Sequence, residues 1–349
     1  MKTLDFKWAI IGAGPAGIAA MGQLLDRGIA AKDIAWIDPD FKVGDFGQHW
    51  HAVSSNTVAE LFTRFLLHCK SFQYETKQHD FALNRLPQNE TCQLSLMAEP
   101  LQWVTDRLCE RVTRVQDKVR KLSLNDRAWT ISCDQHAAIS AENVILATGA
   151  IPRTMSTPEH IETISMYQAM NRNLLADSVQ STDTVAIYGS SHSAIIVARD
   201  LLDIGVKKVI NFYREPLKFA VKLDGFVLFD NTGLKGNTAK WAREHINGQL
   251  PDNFLRVYSD DANAKQYLPE CTKAIHAIGF ERRAPEIDGL VDWQYNPYNG
   301  IIAPGLFGAG IGFPSLKTDP YGNAEAQVGL WKFMDYLDNA MPVWLKYTT

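Results

Sequence analysis

Cysteine is scarce in this sequence, and no two cysteines lie close together. Among the 349 residues only Cys69, Cys92, Cys109, Cys133 and Cys271 occur, and the closest two are 17 residues apart. This spacing excludes CxxC redox motifs and zinc knuckles, and the odd number argues against a disulfide framework. We therefore expect a reducing, cytoplasmic environment, no metal, and no enzyme that stores electrons in a local dithiol.

The sequence also lacks an excess of either charge. It has 35 basic and 39 acidic residues, a net charge of −4, without a basic tract that would attract nucleic acid or an anionic membrane. The hydrophobic fraction of 46% and the charged fraction of 21% are typical of folded chains and exclude disorder. At roughly 150 residues per domain, the length predicts two domains. The expected partner is a small molecule, and the oligomeric state stays open.

One long uncharged run near the N-terminus has a better explanation than membrane insertion. Residues 8–25 carry no charge, as in a signal peptide or a short membrane span. The run contains four glycines and a proline, however, and three of these glycines form a GxGxxG pattern. We therefore expect neither export nor membrane association.

The uncharged run fits the start of a dinucleotide-binding βαβ unit. Residues 6–11 predict a buried strand, residues 18–27 a helix, and residues 34–38 a second strand. An acidic residue, Asp38, ends the second strand 21 residues beyond the last glycine of the pattern. Strand, glycine turn, helix and acid are thus in the register of a dinucleotide-binding fingerprint.

Each residue of this fingerprint has a physical role. Gly12 permits the tight turn, Gly14 lets the backbone approach a pyrophosphate, and Gly17 allows close packing of helix and strand. The helix start presents unpaired N–H groups to the phosphates, and Asp38 is expected to accept hydrogen bonds from a ribose. The predicted contacts of this turn are Gly12, Gly14, Pro15, Ala16 and Gly17.

A second βαβ unit is predicted further along the chain. Residues 184–188 and 208–213 read as strands on either side of a helix. Only the first glycine of the pattern remains in the turn, but Ser191 and Ala194 are small enough to keep the turn compact. The predicted nucleotide contacts here are Gly189, Ser190, Ser191, His192, Ser193 and Ala194.

Arg214 follows the second of these strands directly, where the adenosine ribose of a dinucleotide would lie. A guanidinium at this point can pair with a 2′-phosphate, which favours NADPH. A solvated surface arginine is the alternative interpretation, and NADH then remains possible.

The rest of the chain predicts more strands, one long excursion and a final helix. Residues 216–254 have mixed polarity and many turn formers, which favours an excursion outside the core. A helix is expected over residues 324–337, with Asn323 as its N-cap and Pro342 beyond its end. Further strands are expected at 119–124, 129–133, 143–148, 273–280 and 305–309, and a helix at 101–112.

Taken in order, these motifs resemble those of the two-dinucleotide-binding flavoproteins. Within that group, they resemble more specifically the class B flavin-dependent monooxygenases of short bacterial type. It covers most of the chain and rests on GAGPAG at 12–17, ATG at 147–149 with Pro152 beyond it, GSSHSA at 189–194 and AIGF at 277–280. It implies FAD at the first turn and NADPH at the second.

The resemblance also implies an α/β fold with two Rossmann-like domains. The FAD domain would comprise residues 1–152 and 298–349, and the NAD(P)H domain, residues 153–297, would be inserted into it. Asn56 would lie near the flavin as a catalytic residue, although a turn-forming asparagine is the alternative. Further cofactor contacts are implied at Phe46, Trp50, Ala147, Thr148, Gly149, Gly279, Gly308, Gly310 and Asn323.

The sequence departs from the family pattern in two places. The Gly-Gly-x-Trp motif reads Val43-Gly44-Asp45-Phe46, and the Phe-Gly-His fingerprint between the two nucleotide units is missing around residues 164–167. Three functions therefore stay open. The first is a monooxygenase acting on a soft sulfur or nitrogen nucleophile or a ketone. The second is an NAD(P)H-dependent reductase serving a quinone, ferredoxin or other acceptor, and the third is a non-catalytic flavin sensor.

Overall fold

The computed structural model describes residues 4–290 and 293–347. Within those residues the strands are β1 (Leu4–Ile11), β2 (Ile34–Asp38), β3 (Ser54–Val58), β4 (Thr91–Gln93), β5 (Thr113–Gln116), β6 (Val119–Asn125), β7 (Ala128–Cys133), β8 (Ile139–Leu146), β9 (Ala150–Pro152), β10 (Glu162–Ile164), β11 (Thr184–Tyr188), β12 (Lys208–Tyr213), β13 (Val221–Leu223), β14 (Phe226–Leu228), β15 (Phe254–Tyr258), β16 (Lys273–His276), β17 (Phe280–Arg282), β18 (Glu286–Ile287), β19 (Ile301–Ala303), β20 (Leu306–Gly308), β21 (Ser315–Thr318) and β22 (Ala324–Gln327). The α-helices are α1 (Pro15–Asp26), α2 (Gly44–Gln48), α3 (Ala59–His68), α4 (Ser95–Cys109), α5 (Met166–Ala169), α6 (Arg172–Asp177), α7 (His192–Ile204), α8 (Gly236–His245), α9 (Asp261–Tyr267) and α10 (Leu330–Trp344).

The chain divides into two compact units, with the second inserted into the sequence of the first. The first unit comprises the described residues of 1–150, 282–317 and 326–349, and the second comprises 151–281 and 318–325. The predicted α/β architecture is confirmed. The chain returns to the first unit at Arg282, earlier than the expected residue 298, because β18 already pairs with β6.

Five parallel strands form the centre of the first unit, in the order β5-β2-β1-β8-β20. The first half of β8 also pairs antiparallel with β7, which forms the predicted hairpin with β6. On one face of the sheet, Ile10, Trp36 and Ile145 are buried against α1, α3, α4 and α10. Strands buried on both faces read as continuous apolar runs, which is why β1 and β2 were recognisable in the sequence.

The second unit contains a five-stranded parallel sheet in the order β15-β12-β11-β16-β10. Strands β11 and β12 have the predicted bounds, residues 184–188 and 208–213. Tyr188 and Phe212 stack with ring centroids 5.0 Å apart on one face of this sheet.

The segment 216–254, expected to lie outside the core, contributes to it. Helix α8 buries Ala239 and Ala242, and these residues pack with Leu234 against Ile195 of α7. The prediction was wrong because the many turn formers before and after α8 obscured its short apolar stripe.

The final helix begins later than predicted. Residues 324–327 form strand β22, in a hairpin with β21, and α10 starts at Leu330 with Gly329 as its N-cap. Asn323 therefore caps no helix, and Pro342 lies inside α10 rather than beyond it. In the structure, exposed Ala324 and Ala326 alternate with half-buried Glu325 and Gln327, as neighbouring residues of a strand do.

The two parallel sheets are wound in the same order. In each, the first strand of a βαβ unit (β1 or β11) has the second strand (β2 or β12) on one side and a later strand (β8 or β16) on the other. Open α/β sheets bind ligands outside the carboxyl ends of the strands at this reversal. Among the described residues, the longest helices, α4 and α10, have 15 residues each, and none is long and apolar enough to cross a bilayer.

Candidate functional site

The turn after β1 is a close-packed backbone structure that only glycine can form. A Cβ on Gly12 would lie 2.3 Å from the carbonyl oxygen of Ala147, and a Cβ on Gly17 would lie 2.0 Å from that of Gly12. Gly14 differs, since the nearest atom to its Cβ position is the Val43 oxygen at 3.9 Å. The Gly14 backbone is thus open to a ligand, as a pyrophosphate cradle requires.

Two side chains from β2 hold this turn in place. The indole N–H of Trp36 donates to the Gly12 oxygen at 3.0 Å. The Asp38 carboxylate accepts the Ala13 N–H at 2.7 Å with one oxygen and the Phe41 N–H at 2.7 Å with the other. Asp38 is only 8% exposed. In the structure Asp38 stabilises the turn, and its expected hydrogen bond to a ribose stays a prediction.

Other segments of the first unit meet the same turn at the carboxyl edge of the sheet. The Ala147 N–H, just after β8, donates to the Ile11 oxygen at 2.8 Å. A Cβ on Gly310, after β20, would lie 2.6 Å from the Ala16 Cβ, and one on Gly44 would lie 3.1 Å from the Gly14 Cα. Backbone from three other segments therefore surrounds the start of α1, which no side chain of the described residues caps.

A cleft of about 420 Å³ opens at the same edge, where β2 and β5 end. Asp117 lies at its wall and accepts N–H bonds from Gln135 at 2.9 Å and His136 at 2.7 Å. Burial opposes ionisation of this carboxyl, but those hydrogen bonds outweigh it and hold the pKa well below its usual range. The cleft is lined by Pro39, Gln116, Asp117, Lys118, Asp134 and Gln135.

The remaining expected contacts of the first unit have mixed environments. Phe46 is half-buried and packs on the core, and the backbone N–H of Trp50 donates to the backbone carbonyl oxygen of Asp45 at 3.1 Å. Thr148 Oγ1 donates to the Arg283 oxygen, and the Gly149 oxygen accepts the Arg283 N–H at 3.1 Å. Gly308 lies in β20, where its missing side chain makes room for the Phe313 ring.

Asn56 and Asn323 occupy turn-like positions. Asn56 is exposed on β3, and its Oδ1 accepts the Thr57 hydroxyl at 3.3 Å. Asn323 lies in the turn between β21 and β22, where its Nδ2 donates to Asp319 Oδ2 at 2.8 Å. Asn323 therefore serves the β21–β22 turn, and the catalytic role expected of Asn56 stays a prediction.

The turn after β11 repeats the first turn. A Cβ on Gly189 would lie 2.2 Å from the Ala277 oxygen, and the Ala277 N–H donates to the Tyr188 oxygen at 2.8 Å. Asn211 of β12, fully buried, donates to the Gly189 oxygen at 2.7 Å. Ala194 is also fully buried, so the Cβ that the sequence has at this position fits.

The polar residues of the second turn face different ways. The Ser190 hydroxyl donates to the Glu215 oxygen at 3.0 Å, which ties the turn to the segment that carries Arg214. Both ring nitrogens of His192 are buried and, within the described part of the chain, have no hydrogen-bond partner. Burial, together with the charges of Lys235 and Arg199, lowers the pKa of His192 to about 4, so the ring is neutral at pH 7.

Arg214, Ser191, Ser193 and Gly279 line the open side of this turn. Arg214 and Ser191 are exposed, and Ser193 is half-buried. Gly279 has no atom within 4 Å of its Cβ position, while its carbonyl oxygen accepts the Arg153 N–H at 3.0 Å. This side of the second unit therefore leaves room for a nucleotide.

All five cysteines lie among the described residues and are free. Burial raises the pKa of each thiol, to about 11 for Cys109, Cys133 and Cys271. A thiol that stays protonated is a poor nucleophile or electron relay. Within residues 4–290 and 293–347 no group of three His, Cys, Asp or Glu side chains is arranged to hold a metal.

Fold and turns together fit a protein that binds two dinucleotides. A model of the pyridine nucleotide-disulphide oxidoreductase family matches residues 6–219. The monooxygenase AgnR1 of Paecilomyces divaricatus is 31% identical, aligned over 96% of this chain and 97% of its own. The chain therefore belongs to the pyridine nucleotide-disulphide oxidoreductase family, which confirms the resemblance seen in the sequence.

Solved structures share the whole fold at low identity. The reduced ornithine hydroxylase PvdA of Pseudomonas aeruginosa has a TM-score of 0.67 at 12% identity and covers 99% of this chain and 100% of its own. The ornithine N-hydroxylase of Kutzneria sp. 744, solved with reduced FAD, NADP+ and L-ornithine, has a TM-score of 0.66 at 14% identity, with 98% and 99% covered. At this identity the likeness concerns the fold.

Two residues that position the turns escaped the sequence analysis. Trp36 and Asn211 pair in register with Ile10 and Ile187, each two residues before the first glycine of its turn. The only signal was a hydrogen-bonding side chain within an otherwise apolar strand. Such a residue needs a buried partner, and the free carbonyl of the turn supplies it.

Proposed function

We propose that this protein is an FAD-dependent monooxygenase that takes electrons from NADPH and transfers one oxygen atom to a small organic substrate. The observation that carries the proposal is a pair of close-packed glycine turns, each fit for a dinucleotide, in a chain whose five thiols are free, at least partly buried and protonated. Electrons that enter from a pyridine nucleotide have no dithiol acceptor here. The 31% identity to a protein named as a monooxygenase supports oxygen as their destination.

FAD binds at the first turn. The open backbone at Gly14 and the uncapped start of α1 fit a pyrophosphate, because the free N–H groups and the helix dipole both favour an anion. When bound, FAD supplies two-electron chemistry between NADPH and oxygen. The chain orients it through backbone contacts, with Trp36 and Asp38 keeping the turn rigid.

NADPH binds at the second turn, with Arg214 at the 2′-phosphate. Arg214 is exposed at the end of β12, and among the described residues its side chain has no hydrogen bond or ion pair that a phosphate would have to break. A guanidinium meets a phosphate with two parallel N–H bonds. NADPH is therefore preferred over NADH.

The substrate is a soft sulfur or nitrogen nucleophile or a ketone. In each turnover NADPH gives two electrons and the substrate gives two. Molecular oxygen is thereby fully reduced, with one atom in the product and the other in water.

A reductase that passes electrons to a quinone, ferredoxin or other acceptor is the second candidate. The missing Phe-Gly-His fingerprint favours it. At that place in the structure, Ser165 caps α5 in a capping box with Gln168, which is a structural role.

A coupling measurement tests the proposal. Purified protein with FAD is given NADPH and oxygen together with a thioether, a primary amine or a cyclic ketone, and NADPH loss, hydrogen peroxide and oxygenated product are quantified. The monooxygenase predicts that one substrate suppresses peroxide and yields one product per NADPH. Peroxide as the sole product with every substrate, together with rapid reduction of a quinone or ferredoxin, would establish the reductase instead.

A further inference from the structure

We infer that Arg256 is a positioning residue of the second turn: it holds the Asn211 amide, which in turn holds the Gly189 carbonyl. NADPH affinity then depends on an arginine that does not touch the nucleotide. The inference rests on the proposed binding of NADPH at this turn. All three residues belong to the second unit, and Arg256 lies outside the GSSHSA motif at 189–194.

Arg256, Asn211 and the turn are brought together by three neighbouring strands. Asn211 of β12 is in register with Arg256 of β15 on one side and with Ile187 of β11 on the other. Its Nδ2 donates to the Gly189 oxygen at 2.7 Å and to the Ile187 oxygen at 3.2 Å. Its Oδ1 accepts the Arg256 Nε–H at 2.9 Å. The Asn211 amide therefore connects Arg256 directly to the first residue of the turn.

Burial makes the bond between Arg256 and Asn211 costly to lose. Asn211 is fully buried, so water does not replace a missing donor at its Oδ1. A buried amide oxygen without a hydrogen bond is strongly disfavoured. Without Arg256, we expect the Asn211 side chain to turn toward another donor, and that motion gives up its bond to the Gly189 oxygen.

The Gly189 peptide is a sensitive point of the turn. Gly189 has a φ of +122°, and its Cβ position lies 2.2 Å from the Ala277 oxygen, so the backbone has little room. Helix α7 begins three residues later at His192, and no side chain of the described residues caps it. The N–H groups at this start suit a pyrophosphate. A shift of the Gly189 peptide therefore disturbs the donors that would hold the part common to NADPH and NADH.

The surroundings of Arg256 favour positioning over direct contact with a ligand. Its Cζ lies 4.4 Å from the centroid of the Tyr213 ring, and burial lowers the pKa of its guanidinium. Its Nη2 is buried and, within the part of the chain that the structure describes, has no hydrogen-bond partner. Both Nε and Nη2 therefore face the interior of the second unit.

The first unit has an arginine at the same place and uses it differently. Arg114 of β5 is in register with Trp36, and its Nη2 donates to Gln116 Oε1 at 2.7 Å. The Trp36 indole has a single polar group, an N–H, which its bond to the Gly12 oxygen satisfies. Asn211 has an acceptor as well, and this additional atom is the reason why the second turn needs an arginine.

The test measures binding of NADP+ and NAD+ to the FAD-loaded protein by titration calorimetry. Arg256→Met removes the donor, so we expect the Kd for both nucleotides to rise about tenfold and by the same factor within about twofold. Arg256→Lys keeps a donor and should bind within about threefold of wild type. Asn211→Ala should weaken binding at least as much as Arg256→Met, and the double variant should be no weaker than Asn211→Ala alone.

Arg243→Met is the matched control and should bind both nucleotides like wild type. Arg243 lies in α8 of the same unit and also stacks on an aromatic ring, with its Cζ 4.3 Å from the centroid of Phe219. Thermal unfolding and flavin content of each variant separate lost binding from lost folding.

Four results would overturn the inference. Arg256→Met binds like wild type, Arg256→Lys is as weak as Arg256→Met, or the losses of Arg256→Met and Asn211→Ala multiply in the double variant. The fourth is a loss confined to NADP+, which would mean that Arg256 contacts the 2′-phosphate directly. If the wild-type protein binds neither nucleotide, the proposed function fails instead.

Discussion

The two nucleotide turns share one design, but the first demands glycine where the second accepts larger residues. In both, the first glycine lies against the carbonyl of the residue that follows the neighbouring strand, Ala147 or Ala277. In both, a β-strand side chain donates to that glycine's carbonyl, Trp36 in one unit and Asn211 in the other. Both turns therefore require glycine at the first position of the pattern. Which residues fit at the later positions depends on how closely the helix packs on the turn.

The difference lies at the third position of the pattern. At Gly17 a Cβ would lie 2.0 Å from the Gly12 oxygen, whereas the Cβ of Ala194 is buried without a clash. Helix α7 thus stands slightly further from its turn than α1 does. A degraded GxGxxG motif in the sequence is consequently no sign of a degraded site.

The largest expected effect comes from adding a side chain at Gly17, where helix α1 packs closely on the first turn. Gly17→Ala places a Cβ 2.0 Å from the Gly12 oxygen, so we expect loss of bound FAD and destabilisation of about 3 kcal/mol. Flavin content after purification and thermal unfolding measure both. The matched variant Ala194→Gly should cost only about 1 kcal/mol. Equal behaviour of the two variants would mean that the helices stand at the same distance.

The next effect separates the two sites. Gly189→Ala places a Cβ 2.2 Å from the Ala277 oxygen and a side chain at a φ of +122°. We expect the Kd for NADPH to rise at least about a hundredfold, since the turn must open, while FAD content stays as in wild type. NADPH titration and flavin absorbance of the same preparation check this. Simultaneous loss of flavin would show that the turns are not independent.

A smaller effect tests the chemical contrast between the ends of β2 and β12. The first unit has Asp38 there and the second has Arg214, so only the second suits a 2′-phosphate. Arg214→Ala should weaken NADPH binding by about tenfold or more, the value of a charge-assisted hydrogen bond, and leave NADH almost unchanged. Comparison of the two Kd values measures it. An equal loss for both nucleotides contradicts the role of Arg214.

The sequence predicted those elements whose causes are local, and it failed where the cause is a contact between distant segments. Strands β11 and β12 have their predicted bounds because parallel strands buried on both faces are continuous apolar runs. The start of helix α10 was predicted at residue 324, six residues before its actual start at Leu330. The reason is that strand β22 forms only through its pairing with β21. Trp36 and Asn211 were missed because their role depends on strand register, which the sequence does not display.

The last prediction concerns the pH dependence of stability and His192, which has no counterpart in the first turn. Burial, then the charges of Lys235 and Arg199, lower its pKa to about 4, against about 6.5 in an unfolded chain. The unfolded state binds the extra proton between these values, so the stability that comes from the neutral ring is complete above pH 6.5 and is lost as the pH falls toward 4.

His192→Gln removes this titration, and its free energy of unfolding should fall less over that range than that of wild type. It should also fall less than that of His160→Gln, a control at an exposed histidine of the same unit. Denaturant titrations at pH 7.5, 6, 5 and 4.5 measure the slopes. Identical slopes for wild type and His192→Gln would contradict the prediction, because they would mean that water reaches the His192 ring and that its pKa is not lowered.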